Sequence, residues 1–311
     1  MSPHLGWDVA VDVRQLLAYH FMVNALRAAT ITAVVGGVAG WLMVLRRQTF
    51  AGHTLSVVAF PGAAGAALLG VGAAWGYFGL CLAAAVVIGA VPYAPDRRAF
   101  SEEPAVVGTV QAVLLGAGFL FMSLSKQFLS GVDSLLFGTF LGVTDAQVLT
   151  LLAVGAAVLV SLAALGRPLL FASVDPSVAS SRGVPVRLVG VGFALVLGAT
   201  VAEVSQITGA LLVFALLVMP AAGARRLTSR TGLGLAVSVA LALVVAWVGL
   251  GLSYFYAQYP SGFYICTVGF AVYLLSGVPA AAWRAATRRR TRLGSRRRGA
   301  GDPLREPALL R

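Results

Sequence analysis

The chain has 311 residues, 59% of them apolar and only 11% charged, with a mean hydropathy of +0.89 and a formal net charge of +12. A soluble domain carries about 25% charged residues, so this composition excludes a soluble globular enzyme and predicts a polytopic membrane protein. The basicity does not predict a nucleic-acid face: residues 284–311 hold ten of the 23 basic side chains and two acids, and without them the net charge is +4. Charge of this kind is a topology signal.

The amino terminus lacks a cleavable-signal pattern, because Asp8 and Asp12 precede the first arginine, Arg14. Residues 1–20 are therefore expected to stay outside the membrane on the extracytoplasmic side. A helix rising 1.5 Å per residue needs about twenty apolar residues to cross the hydrocarbon, and the chain offers such stretches in series. The first, 24–45, stops at Arg46 and Arg47; Arg27 near its start can snorkel to the outer interface. Stretches 53–71 and 74–91 form a hairpin that returns at 92–104, a loop with Asp96, Arg97, Arg98, Glu102 and Glu103. Stretch 105–124 leads to Lys126 and Asp133. Residues 134–144, SLLFGTFLGVT, are too short to cross and read either as a re-entrant helix enclosed by protein or as a helix lying flat at the interface.

Stretches 146–165, 188–202, 209–222, 233–252 and 263–283 complete an all-α bundle of about eight to nine membrane helices. Ten basic residues before the tail fall in loops on the side of Arg46, against three (Arg14, Arg27, Lys126) on the other. The positive-inside rule then puts the carboxyl terminus in the cytoplasm. The expected organisation is an extracytoplasmic segment 1–20, a membrane domain 21–283 and a basic, disordered cytoplasmic tail 284–311, held against anionic lipid.

Two stretches stand out. Residues 209–226, GALLVFALLVMPAAGARR, place Pro220 inside an apolar helix, where it removes one backbone donor and bends the axis. Ala221, Ala222, Gly223 and Ala224 allow a neighbouring helix to close the gap. The loop 166–187 contains Asp175 followed by Pro176, an oxygen cap and a residue with preset φ, and then Gly183 and Pro185 as stops. This predicts a two-turn cytosolic helix over 176–182. It is either a plain connector or a rigid docking knob that offers Val178 and Ala179 to another protein's groove.

Polar residues within the spans are few. Glu203 and Gln206 sit near the outer end of one span, and an intramembrane acid is a functional candidate by default; a solvated place at the interface is the other reading of Glu203. Tyr254, Phe255, Tyr256 and Tyr259 form an outer aromatic belt or part of a docking surface. Cys81 and Cys266 lie in apolar runs and predict neither disulfide nor metal cluster. A phosphate-binding loop needs lysine beside Ser or Thr after a glycine-rich turn; the only lysine, Lys126, lies in SLSKQF, so the chain is expected to have no ATPase site of its own.

In their order these motifs resemble the membrane-spanning subunits of ABC importers for zinc and manganese, over about residues 21–276. The resemblance rests on VLRRQTFAG at 44–52, LSVVAFPGAAGAALLG at 55–70, the Leu-Phe-Gly and acidic segment at 136–145, the loop with Asp175, Ala179 and Gly183, and TGALLVFALLVMPAAGARRL at 208–227. It implies a type II ABC importer-like permease in the plasma membrane, a dimer around a central path. Cargo comes from an extracytoplasmic substrate-binding protein, and ATP is used by a cytosolic ATP-binding subunit. No cofactor is bound by this chain, and nucleic acid is not a partner. Asp175, Pro176, Val178, Ala179 and Gly183 are then the ATPase-coupling residues, and His53, Glu203, Gln206 and Pro220 the candidates for the translocation path.

One departure concerns cargo. Metal-carrying members usually read Gly-Asp-x-Leu-x-His in the second span, with acid and imidazole one turn apart. Here His53 and Val57 stand at those positions. His53 is the one candidate metal ligand, or else a hydrogen-bonded histidine at a helix start. The alternatives are a permease of the same fold for a non-metal or chelated-metal cargo, or a secondary transporter, which would need paired membrane acids or an internal repeat.

Overall fold

A computed structural model of the chain describes residues 14–15, 17–90, 99–125, 135–136, 138, 142–256 and 258–278. Among the described residues ten helices of six residues or more follow one another: α1 His20–Leu45, α2 Thr49–Leu68, α3 Ala73–Ala90, α4 Ala99–Leu124, α5 Asp145–Val174, α6 Pro176–Ser181, α7 Val186–Thr208, α8 Ala210–Leu227, α9 Thr231–Phe255 and α10 Ser261–Val278. No strand occurs among the described residues. Seven helices (α1, α2, α3, α5, α7, α9, α10) are long and apolar enough to cross a membrane. Of the other long ones, α4 has an apolar stretch over Gln111–Leu124 and α8 carries Arg225 and Arg226 in its last turn. Each of the nine expected spans thus has its helix. The segments 1–13, 92–98 and 284–311 and most of 134–144 lie outside the described residues, and so do the readings placed on them.

The helix ends differ from the expected ones in an instructive way. The span expected over 146–165 continues to Val174 through Arg167 and Pro168, so the first part of the long loop, 166–174, extends that helix by about two turns. Proline costs an interior helix one hydrogen bond and a local clash, whereas Leu169 and Ala172 beyond it are 0% and 5% exposed. Apolar burial outweighs the break. Thr144 caps the other end of α5 reciprocally with Gln147: the Gln147 amide donates to the Thr144 hydroxyl at 3.3 Å and the Thr144 amide to the Gln147 side chain at 2.9 Å.

Helices in lipid gain little from apolar burial against one another, so contact depends on close backbone approach. In α1, a methyl on Gly40 would overlap the Leu217 carbonyl oxygen of α8. Three residues earlier, the Ser238 hydroxyl of α9 donates to the Gly37 carbonyl at 2.8 Å. Gly62 of α2 and Gly76 of α3 lie backbone on backbone in the same manner. α3 in turn packs along α7, α4 against α2, and α5 against α7 and α1. Beside Pro220, Ala221 and Ala224 are fully buried and Gly223 faces Ser276 of α10 and Leu241 of α9, while the glycines of α1 close on α8 and α9 from the other side.

Candidate functional site

At one end of the bundle stand Arg46, Arg225, Arg226 and the short helix α6. The Arg46 guanidinium donates to the Ser173 hydroxyl near the end of α5 at 3.3 Å and covers the Phe193 ring of α7 at 5.2 Å. Arg225 lies 5.9 Å from the Trp41 ring, and Arg226 donates to the Tyr273 carbonyl at 3.2 Å while stacking on its ring. These contacts tie the ends of α1, α5, α7, α8 and α10 into one platform.

α6 begins where Asp175 leaves helical geometry at φ −146° and ψ 98°. One carboxylate oxygen, Oδ1, accepts from the amides of Ser177 and Val178, both at 3.0 Å, and from the Ser177 hydroxyl at 2.6 Å. The Ser177 hydroxyl, then the Val178 amide, holds the exposed carboxyl below the usual carboxylate range. Arg182 caps the far end, and Gly183 turns the chain at φ +82°. Both ends of the helix are thereby fixed where the sequence placed them. Its sides differ from expectation in one respect: Val178 is 43% exposed, but Ala179 is fully buried, so the free face is narrower than both residues together.

His53 lies in the first turns of α2, half-buried, its ring edge-on to Phe214 of α8 at 4.8 Å between centroids. Its Nδ1 is buried with no hydrogen-bond partner. One turn on, Val57 is 7% exposed. Thr54 beside it hydrogen-bonds to the Gln111 side chain of α4 at 3.2 Å. Pro220 is buried in α8, and the Phe214, Val218 and Ala222 side of that helix is partly open. His53 and this face of α8 line the same side of the subunit. Phe214 and Gln111 were not legible beforehand, since neither an apolar aromatic in an apolar run nor one glutamine signals a partner in another helix.

Glu203 of α7 is elsewhere. It is 0% exposed, and neither carboxyl oxygen has a hydrogen-bond partner. A methyl added to Gly155 of α5 would come within 2.8 Å of its Oε1, and within 3.0 and 3.2 Å of Val35 and Ile31 of α1. The carboxyl is thus enclosed between α1, α5 and α7, not solvated at the interface. Gln206, one turn on, is half-buried and reaches only its own helix, donating to the Ala202 carbonyl at 3.5 Å. Among the described residues no three His, Cys, Asp or Glu side chains gather as a ligand group.

The family description "ABC 3 transport family" matches residues 18–279. The chain is 34% identical to the chelated iron transport system membrane protein of Yersinia pestis, over 82% of this chain and 85% of that one. It is 28% identical to the manganese transport system membrane protein of Halalkalibacterium halodurans, over 84% and 88%. In fold it is similar to PsaBC from Streptococcus pneumoniae, solved in complex with Fab, with a TM-score of 0.73 and 24% identity over 86% of this chain and 95% of the other. With the multi-helix membrane bundle and the match over most of its length, this chain belongs to the ABC 3 transport family.

Proposed function

We propose that this chain is the membrane subunit of an ATP-driven importer for a divalent metal ion, manganese or zinc, and works as a dimer around a central path. A cytosolic ATPase drives it through α6, and an extracytoplasmic binding protein delivers the cargo. The observation that carries the reading is α6 itself: a two-turn helix fixed by Asp175 and Gly183, with Val178 outward, at the arginine-rich end of the bundle. That end faces the cytoplasm by the positive-inside rule, and so does the carboxyl terminus. A docked motor needs a lever that does not fray, which a double cap and a buried Ala179 supply.

The path runs along the His53 face of α2 and the open side of α8, with the bend at Pro220 beside it. Glu203 and Gln206 are its polar stations toward the other end, reached when α5 and α1 part. A second reading, a chelated-metal cargo, is favoured by His53 and Val57, which leave one imidazole where oxygen and nitrogen ligands must come in sets. The relative named for chelated iron supports it. The test is uptake in cells lacking this chain, with manganese and zinc measured separately and a chelated form alongside. Restored uptake of free ion supports the first reading; restored uptake of only the chelate supports the second.

A further inference from the structure

Glu203 stands on the side of α7 that meets α1 and α5, fully buried, with no hydrogen-bond partner for either carboxyl oxygen. Its enclosure is apolar. The space beside Gly155 of α5, where a methyl would lie 2.8 Å from Oε1 and 3.0 and 3.2 Å from Val35 and Ile31, is already too tight for that methyl. An ion with its water shell cannot enter it. The titratable groups of the three helices are His20 and Arg27 on α1, Asp145 and Arg167 on α5 and Arg187 on α7, all of them exposed. None pairs with Glu203; Arg27, the one nearest along α1 to Ile31, acts on Asp145 instead. A charge buried with neither counter-ion nor donor costs far more than a bound proton, and such a group neutralises. Neutral, the carboxyl also gains a donor of its own.

We propose that Glu203 is a proton-binding site, which holds a proton while α1, α5 and α7 are closed on it and releases that proton when α1 and α5 part. The bond broken is the carboxyl O–H, and the proton passes to the water that enters the gap. The carboxylate left behind is the form that can meet a cation. On closing, the cation leaves and the carboxylate takes a proton back from water, because the enclosed space admits nothing larger to balance its charge. Opening is thereby linked to pH, and passage of a cation past this point exchanges with a proton. The inference deepens the path reading, in which Glu203 is a polar station, and rests on it for the cation alone; the proton follows from the enclosure.

The test uses the full chain in lipid nanodiscs, with no ATPase and no cargo added. Infrared spectroscopy reads the carbonyl stretch of a protonated carboxylic acid, and hydrogen exchange by mass spectrometry reads opening over residues 31–35 and 153–157. An exposed glutamate titrates at about 4.3 and is ionised at neutral pH, so an acid band there reports a buried group. Wild-type protein is expected to show that band. Glu203→Gln should lack it, and Glu203→Asp, which keeps the carboxyl, should retain it. As pH rises the band should fade while opening of the two segments grows, by up to about tenfold per pH unit for one proton, after correction for intrinsic exchange. In Glu203→Gln, opening should not follow pH. No acid band in the wild type at neutral pH, a band unchanged in Glu203→Gln, or the same pH dependence of opening in both proteins overturns the site. Neither readout needs a partner, so loss of the importer reading leaves the result standing, and loss of the proton site leaves the docking role of α6 untouched.

Discussion

Gly138 and Gly209 lie backbone against backbone, both at positive φ, +77° and +74°, and each occupies the space where the other would carry a side chain. Gly209 is the joint at which α7 ends and α8 begins, with ψ 158°. That combination of angles is accessible almost solely to glycine. The joint therefore depends on two residues 71 apart that have no side chain to lose. Gly209→Ala should destabilise the protein by about 1–3 kcal/mol from the backbone alone, with the overlap on Leu136 and Gly138 added. Thermal unfolding in detergent measures it, and a midpoint equal to that of the wild type would refute the account.

What the sequence made legible and what it did not divide along physical lines. The nine spans and the capped helix α6 follow from local signals, apolar length and an Asp-Pro…Gly pattern, and both stand in the structure. Gly209 was visible only as the start of an apolar run, because nothing local says that Gly138 will press against it. The extension of α5 past Pro168 failed to show for the same reason: Leu169 is fully buried in the core of the bundle, and such burial is decided by tertiary packing, not by residues nearby in sequence. Ala179 and Val178 look alike in composition, and only packing assigns one inward and one outward.

Asp175 gives a prediction in pH. Its hydrogen bonds from Ser177 and Val178 favour the ionised carboxyl, so its folded pKa is depressed. The stabilisation of α6 is then present above the unfolded value, about 3.9, and is lost only as pH falls through the lower folded value. Between pH 5 and 8, a range chosen to lie above both, the cap should be constant. Asp175→Ala should speed amide exchange at Ser177 and Val178 throughout that range and reduce ATPase-driven uptake. A mutant whose exchange matches the wild type at those two amides would show that the cap is dispensable.

The contact between Gly40 and the Leu217 carbonyl predicts a steric cost. Gly40→Val forces α1 away from α8 near Pro220, and such overpacking costs about 1–3 kcal/mol. Gly166→Ala, where no neighbouring atom lies within 4 Å, should be silent. Paired thermal melts of the two variants decide between a specific helix contact and a general intolerance of side chains in these helices.

The face of α2 opposite Phe214 can be tested by rebuilding. His53→Asp together with Val57→His places a carboxylate and an imidazole one turn apart on one side of α2, the spacing at which both reach one ion. Free manganese uptake should rise in the double variant relative to either single change. If uptake of the free ion is already high in the wild type and falls in the double variant, His53 works alone and the paired arrangement is not what this path uses.

Glu203 sets stability against transport. A carboxyl enclosed by Gly155, Val35 and Ile31 with no hydrogen-bond partner is unfavourable in the resting bundle, since burying a polar group unpaired costs at least about 1 kcal/mol. Glu203→Leu should therefore raise the thermal midpoint. Retention of such a group makes sense if the acid is used when α1 and α5 separate, so the same variant should lose metal uptake while still binding the ATPase. Glu203→Gln keeps the shape and removes the charge, and it separates the two effects: full uptake in Glu203→Gln would mean that the carboxylate itself never meets the cargo. A lower midpoint in Glu203→Leu would mean instead that the acid has a partner in the assembled dimer.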